Sequence, residues 1–250
     1  DINEINEYTD LKGVTNIILT AQASQLEELC EALDIISKRV KNANVNITIR
    51  RDLSDVCHYL QKYKTMLENL SALTKEKWKE QNYLQTNILT SEIFASSERP
   101  CGAGYNSFAM SPEGKFYICA GFYREFPEES IGTIDTGIDE KYRHYCNSSE
   151  SPLCSKCSVR HCKRCVFFNK MGTGEYNIPT ELQCAIAHLE FEYSKRFSES
   201  IKAEKIYVPY KYNNKLKAVE NYDPIKNIRG SQYPNYGLDE IIRRMLNTEN

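Results

Sequence analysis

Hydrophobic and polar positions alternate in recognisable periods from Val14 onward and predict a strand, a helix and a second strand. Asn16 to Thr20 is a short apolar run suited to a buried parallel strand. Ser24 with Glu27 three residues on reads as a capping box. Beyond it Leu26, Leu29, Cys30, Leu33 and Val40 recur at helical spacing and give the helix one buried face. Cys30 falls on that apolar face and reads as core packing. Val45, Ile47 and Ile49 alternate with Asn46 and Thr48 as a second strand. A βαβ unit follows, with parallel strands and a right-handed crossover.

Leu53, Val56, Leu60, Leu67 and Leu70 mark the next helix, and Trp78, Tyr83 and Leu84 a further helical or mixed stretch. Cys57 and His58 are adjacent and so point to different sides of a helix, a poor pair of ligands. Cys57 reads as core and His58 as surface or core edge. The βα pattern stops near Phe94, and the polar segment from Ala95 to Pro100 is a candidate domain boundary.

A different kind of chain follows. Strand-like runs at Ser107 to Met110 and Lys115 to Ile118 flank Ser111-Pro112-Glu113-Gly114, where Pro presets the turn and Gly supplies a positive φ. The hairpin brings Cys101, before its first strand, and Cys119, at the end of its second, to the same end of the ribbon. Ile131 to Asp135 adds a short strand, and Cys146 follows in a polar, aromatic segment. Phe108, Tyr117, Phe122 and Tyr123 are candidates to line a peptide groove, with packing as the plainer role. From Pro179 a helix carries the stripe Leu182, Ile186, Leu189, Tyr193 and Phe197. Cys184 lies in its first turns, where the positive end of the helix dipole favours a thiolate, and His188 lies one turn on, as a ligand, a supporting donor or a helix-surface residue. The remainder is rich in Tyr, Asn and Lys, with one short amphipathic helix from Leu238 to Leu246.

Between hairpin and helix stands the densest chemistry, Cys154-Ser-Lys-Cys157-Ser-Val-Arg-His-Cys162-Lys-Arg-Cys165. Two CxxC pairs can each aim both sulfurs at one metal, and Arg160, Lys163 and Arg164 favour the thiolate that iron and zinc require. The competing reading is a disulfide framework. A chain of 250 residues can bury a core without bridges, so thiols set this closely point to metal and to a reducing, cytoplasmic compartment. In such a compartment the sequon beginning at Asn147 goes unused. The net charge of -2 supplies no field to draw in nucleic acid. No apolar run reaches membrane-spanning length, so a membrane role is not expected. The chain begins at Asp1 without an initiator Met or a signal-peptide pattern, and a piece of something longer is expected.

Cys101-x12-Gly114-x4-Cys119, the four-cysteine run and the distal Cys184 together resemble the SPASM domain that follows the catalytic barrel of many radical S-adenosylmethionine enzymes. The segment from Pro179 to Glu190 resembles the close of such domains in maturases of cysteine-rich or repeat-containing ribosomally made peptides (RiPPs). The resemblance implies an α+β chain in three parts. Residues 1–96 would be the C-terminal βα remnant of a partial (β/α) barrel, 97–197 a SPASM-like hairpin-plus-helix domain, and 198–250 an extension. It also implies two auxiliary [4Fe-4S] clusters, the first on Cys101, Cys119 and Cys165, the second on Cys154, Cys157, Cys162 and Cys184. The first set is one thiolate short. Cys146 fills the place, or the iron stays open to a substrate thiolate or peptide nitrogen. The run also departs from the family spacing, with four residues between its second and third cysteines in place of five and two before the last in place of three.

The family's CxxxCxxC, which holds the catalytic cluster and S-adenosylmethionine, does not occur in this sequence. The chain is therefore expected to be the C-terminal portion of a longer enzyme, or a reduced relative that presents peptide without radical chemistry. The implied partners are a precursor peptide and either the upstream half of the same enzyme or a separate radical enzyme, with S-adenosylmethionine and a third cluster bound only there. A reading of another class needs no catalysis: a structural zinc site on the CxxC pairs stiffens a protein- or peptide-binding module. A redox-active CxxC is the third reading, and the strand and helix it requires are missing around Cys154.

Overall fold

The computed structural model describes residues 16–48, 56–90, 101–146, 150–151, 153–157, 159, 162 and 165–208. The chain divides into two compact units, Asp1–Ser96 with the segments His188–Val219 and Tyr236–Asn250, and Ser97–Ala187 with Glu220–Asn235. The architecture is α+β, built of helices and two small sheets.

In the first unit β1 (Asn16–Gln22) and β2 (Asn42–Thr48) pair in parallel, Asn16 opposite Asn42, and α1 (Leu29–Ser37) connects them. The expected βαβ unit is present. Its helix starts later than the pattern predicts, because Ala23–Gln25 forms a 3-10 turn in which Gln25 Oε1 accepts the Gln22 N–H at 3.0 Å. Ser24 and Glu27 are thus not the helix cap. β1 is buried on one face only: Leu19 and Ala21 point inward while Ile18 is 70% exposed, so the expectation of a fully buried strand does not hold. The alternation along the strand already carries that one-sided pattern.

α2 (Val56–Lys79) runs unbroken through Trp78, merging what the sequence divides into two stretches. It buries Cys57, Leu60, Tyr63, Leu67 and Leu70 and leaves His58 exposed. Trp78 Nε1 donates to Leu84 O at 2.9 Å and fixes the turn into β3 (Gln85–Thr86), which joins β2 in parallel. The side-chain amide of Asn87 then stands in for a strand residue, accepting from Val45 N at 2.8 Å and donating to Val45 O at 3.0 Å. The sheet has the order β1-β2-β3; among the described residues it does not close into a barrel. Leu53 and Ile49 lie outside the described residues.

The second unit opens with β4 (Ala109–Met110) and β5 (Lys115–Tyr117), paired antiparallel as the hairpin predicts, with Gly114 at φ +78° in the turn. β6 (Gly132–Thr133) and β7 (Gly137–Ile138) extend the sheet. Short helices α3 (Ala120–Glu125), α4 (Lys141–Cys146) and α5 (Val166–Thr173) follow, none of them anticipated. Gly174, left-handed at φ +78°, ends α5, and its N–H bonds Lys170 O at 3.0 Å. The core is Tyr117, Ile118, Phe122, Ile131 and Val166. Tyr117 and Phe122 are therefore packing residues rather than groove lining, whereas Tyr123 is exposed.

α6 (Glu181–Ala203) is capped by Thr180, whose Oγ1 accepts the Gln183 N–H while Gln183 Oε1 accepts the Thr180 N–H at 2.8 Å. Pro179 precedes this cap rather than opening the helix. From His188 on, α6 belongs to the first unit, where Leu189, Tyr193 and Phe197 are buried; Leu182 and Ile186 are half-buried. Phe197 meets Trp78 edge-on at 5.3 Å, and Tyr63 donates to the buried Glu190 at 2.6 Å. No helix among the described residues is long and apolar enough to cross a membrane. The segment from Leu238 to Leu246 lies outside the described residues.

Candidate metal centre

All ten cysteines are among the described residues, and no disulfide links any of them. Cys119 is the N-cap of α3 and Cys165 the N-cap of α5. Cys154 starts a 3-10 turn that Cys157 closes, its N–H bonding Cys154 O at 3.1 Å. Cys184 is in the first turn of α6, its N–H bonding Thr180 O at 3.1 Å. Four of the seven predicted ligands thus stand where a helix or helical turn begins. Backbone N–H groups there have no partner within the helix and favour negative charge on sulfur.

Cys165 shows what the fold assembles. Burial pushes its thiol above the ordinary range, the approaching N–H groups of Phe168 and Phe167 pull it back, and the neighbouring Cys119 and Cys101 push it up again. Neither amide makes a full capping hydrogen bond to Cys165. Cys119 and Cys101 both act on Cys165 and so lie in its neighbourhood, and Phe167 of α5 meets Phe122 of α3 at 5.7 Å. Among the described residues no three His, Cys, Asp or Glu side chains are drawn together at metal-holding distances.

Cys146, at the end of α4, packs against the same apolar core as Cys119. Its Sγ lies against Gly104, three residues beyond Cys101. Tyr176 lies near enough to feel Cys146. Burial, and next its hydrogen bond to Glu129, hold the Tyr176 hydroxyl protonated far above the ordinary range. That bond is 2.5 Å long, and Lys170 pairs with Glu129 at 2.9 Å while lying 4.7 Å over the Tyr176 ring.

The four-cysteine run shows local sulfur solvation. Val159 N–H donates to Cys157 Sγ at 3.4 Å, the bond that a CxxC turn offers a thiolate ligand. Cys162 N–H returns to Val159 O at 3.4 Å. Ser151, fully buried, donates to Asn177 O at 2.6 Å and accepts the Cys154 N–H at 3.2 Å, anchoring the first turn of the run. Ser151 belongs to no motif, and its place three residues before Cys154 is its one local signal. Arg160, Lys163 and Arg164 lie outside the described residues. His188 is buried in the first unit, contrary to its helix-surface reading, and Cys184 belongs to the second unit. Cys30 is half-buried and donates weakly to Met66 O at 3.7 Å, in keeping with a packing role.

The donor set fits a thiolate-bound metal. It is all sulfur, it is presented from turns and helix starts, and soft thiolates select zinc or iron–sulfur clusters over hard cations. No protein-family model matches the chain, and no curated protein matches it.

Proposed function

We propose that this chain is the auxiliary iron–sulfur and peptide-substrate region of a radical S-adenosylmethionine enzyme that modifies a ribosomally made peptide. The observation that carries the reading is that Cys119 and Cys165 cap two helices that meet where Phe167 packs on Gly121 and Phe122, with Cys101 near enough to act on Cys165; the three are remote in sequence and are the residues that the SPASM resemblance groups together. Cys101, Cys119 and Cys165 would hold one [4Fe-4S] cluster, with Cys146 or substrate as its fourth donor, and Cys154, Cys157, Cys162 and Cys184 would hold the other. When bound, such clusters supply one-electron transfer and, where one iron lacks a protein thiolate, a Lewis-acid site for substrate. The protein's own part is to set Cys119 and Cys146 against an aromatic core and to direct N–H groups at sulfur. Both tune potential and exclude water.

On this reading the β1-α1-β2-α2-β3 segment is the last part of a partial (β/α) barrel, and S-adenosylmethionine with a third cluster belongs to an upstream region or partner. The intact protein is then an enzyme of a reducing, cytoplasmic compartment, acting on a precursor peptide. A second reading has support of its own: the Val159 N–H to Cys157 Sγ bond is equally the geometry of a structural zinc turn, and would make the chain a zinc-stabilised binding module.

Cysteine variants purified without oxygen test the proposal. Cys119→Ala and Cys184→Ala should each lose about half the iron and sulfide of the parent. Equal and full retention of iron in both variants would refute the two-cluster assignment.

A further inference from the structure

We propose that Asn169 and Gln183 are positioning residues that set the spacing between the two cysteine sets by joining the helix that begins at Cys165 to the helix that carries Cys184. The inference rests on the cluster reading above and adds to it a pair of residues that ligand spacing alone does not indicate.

Asn169 lies one turn into α5, and its N–H bonds the carbonyl of Cys165 at 2.9 Å. Its side chain is fully buried. Nδ2 donates to Tyr176 O at 2.9 Å, and Oδ1 accepts from Gln183 Nε2 at 3.1 Å. Gln183 precedes Cys184 directly, and its Oε1 is already committed to the Thr180 cap at 2.8 Å. Both ends of the Asn169–Gln183 bond are therefore fixed. One is a helical bond from Cys165, the other one covalent step from Cys184. A buried amide bonded through both its nitrogen and its oxygen favours a single arrangement, whereas an apolar pair of similar size tolerates several. On the proposed assignment Cys165 serves the first cluster and Cys184 the second, so this bond sets how far apart the two paramagnets sit.

The test compares the parent with Asn169→Leu, Gln183→Met and Thr173→Val, all purified without oxygen and reduced. Thr173→Val removes the hydroxyl bonds to Asn169 O and Ile178 O and leaves the amide pair in place, so it destabilises the same loop as a control. The readout is the mutual broadening of the two cluster signals in the electron paramagnetic resonance spectrum, which depends steeply on their separation. The parent should show broadening. Asn169→Leu and Gln183→Met should keep iron and sulfide while altering it, and Thr173→Val should lower Tm without changing it. Gln183→Met removes the same bond, together with the Oε1 bond to the Thr180 cap, from a half-buried position and carries the comparison if Asn169→Leu fails to fold. A parent with two clusters and no mutual broadening, unaltered spectra in both amide variants, or an equal change in Thr173→Val would overturn the inference. A parent with no sulfide-bound iron would instead defeat the cluster reading beneath it.

Discussion

The Sγ of Cys146 occupies the space that a β-carbon on residue 104 would need, and Ile118 Cγ2 closes the same space at 3.0 Å. Gly104 also sits at φ +74°, so both backbone and contact require glycine here. Gly104→Ala should cost about 1–3 kcal/mol from the left-handed backbone alone, with a further penalty from the displaced thiol. Cys146→Ala in the same background should recover the second part and leave the first. Additive losses in the double-mutant cycle, measured by chemical unfolding, would show that the two residues do not press on each other.

Cys30 provides a pH test independent of the metal reading. Burial pushes its thiol from 9.0 up to about 11. The unfolded chain ionises first as pH rises, while the folded chain keeps its proton. The stabilisation tied to the neutral thiol is therefore complete below about pH 9 and is lost as pH climbs toward 11. The parent's Tm should fall more steeply than that of Cys30→Ala across this window, and parallel slopes would contradict the assignment.

In the first unit Tyr63 donates to Glu190, which is 7% exposed, whereas Tyr193 donates to Glu68, whose side chain reaches solvent; both bonds are 2.6 Å. Equal lengths should not mean equal worth, because water replaces a lost donor only at Glu68. Tyr63→Phe should destabilise by about 1–3 kcal/mol and Tyr193→Phe by about 0.5–1.5 kcal/mol. The reverse order in urea unfolding would refute the burial argument.

Thr180 caps the helix that carries Cys184. Thr180→Ala should lower stability by about 1 kcal/mol, and Thr180→Ser should restore most of it. If Ser fails to rescue, packing of the Thr180 methyl, which lies against Gly172, is the larger contribution.

Much of the local structure was legible in the sequence because it rests on short-range rules. Alternation at β2, the Pro-Glu-Gly turn of the hairpin and the helical stripe through Leu189, Tyr193 and Phe197 all appear where those patterns place them. The misses share a physical cause. β3 is two residues long and exists through pairing with β2, which no local period signals. Helix α1 begins later than Ser24 because a Gln25 side chain tightened the turn before it. α3 and α5 run only six and eight residues, too few for an apolar stripe to stand out from its surroundings, although both are capped by cysteines. Within the candidate site the cysteines proposed as ligands stand out by their spacing. Ser151, Asn169 and Gln183 do not, since what marks them is the set of bonds they make across loops.

The account stands on sulfur holding iron, and metal analysis of the anaerobically purified chain reaches that point without any variant. The prediction is iron with acid-labile sulfide in equal amounts, about eight of each per chain for two [4Fe-4S] clusters, and little zinc. Stoichiometric zinc without sulfide, or reactive thiols throughout with no metal, would contradict it.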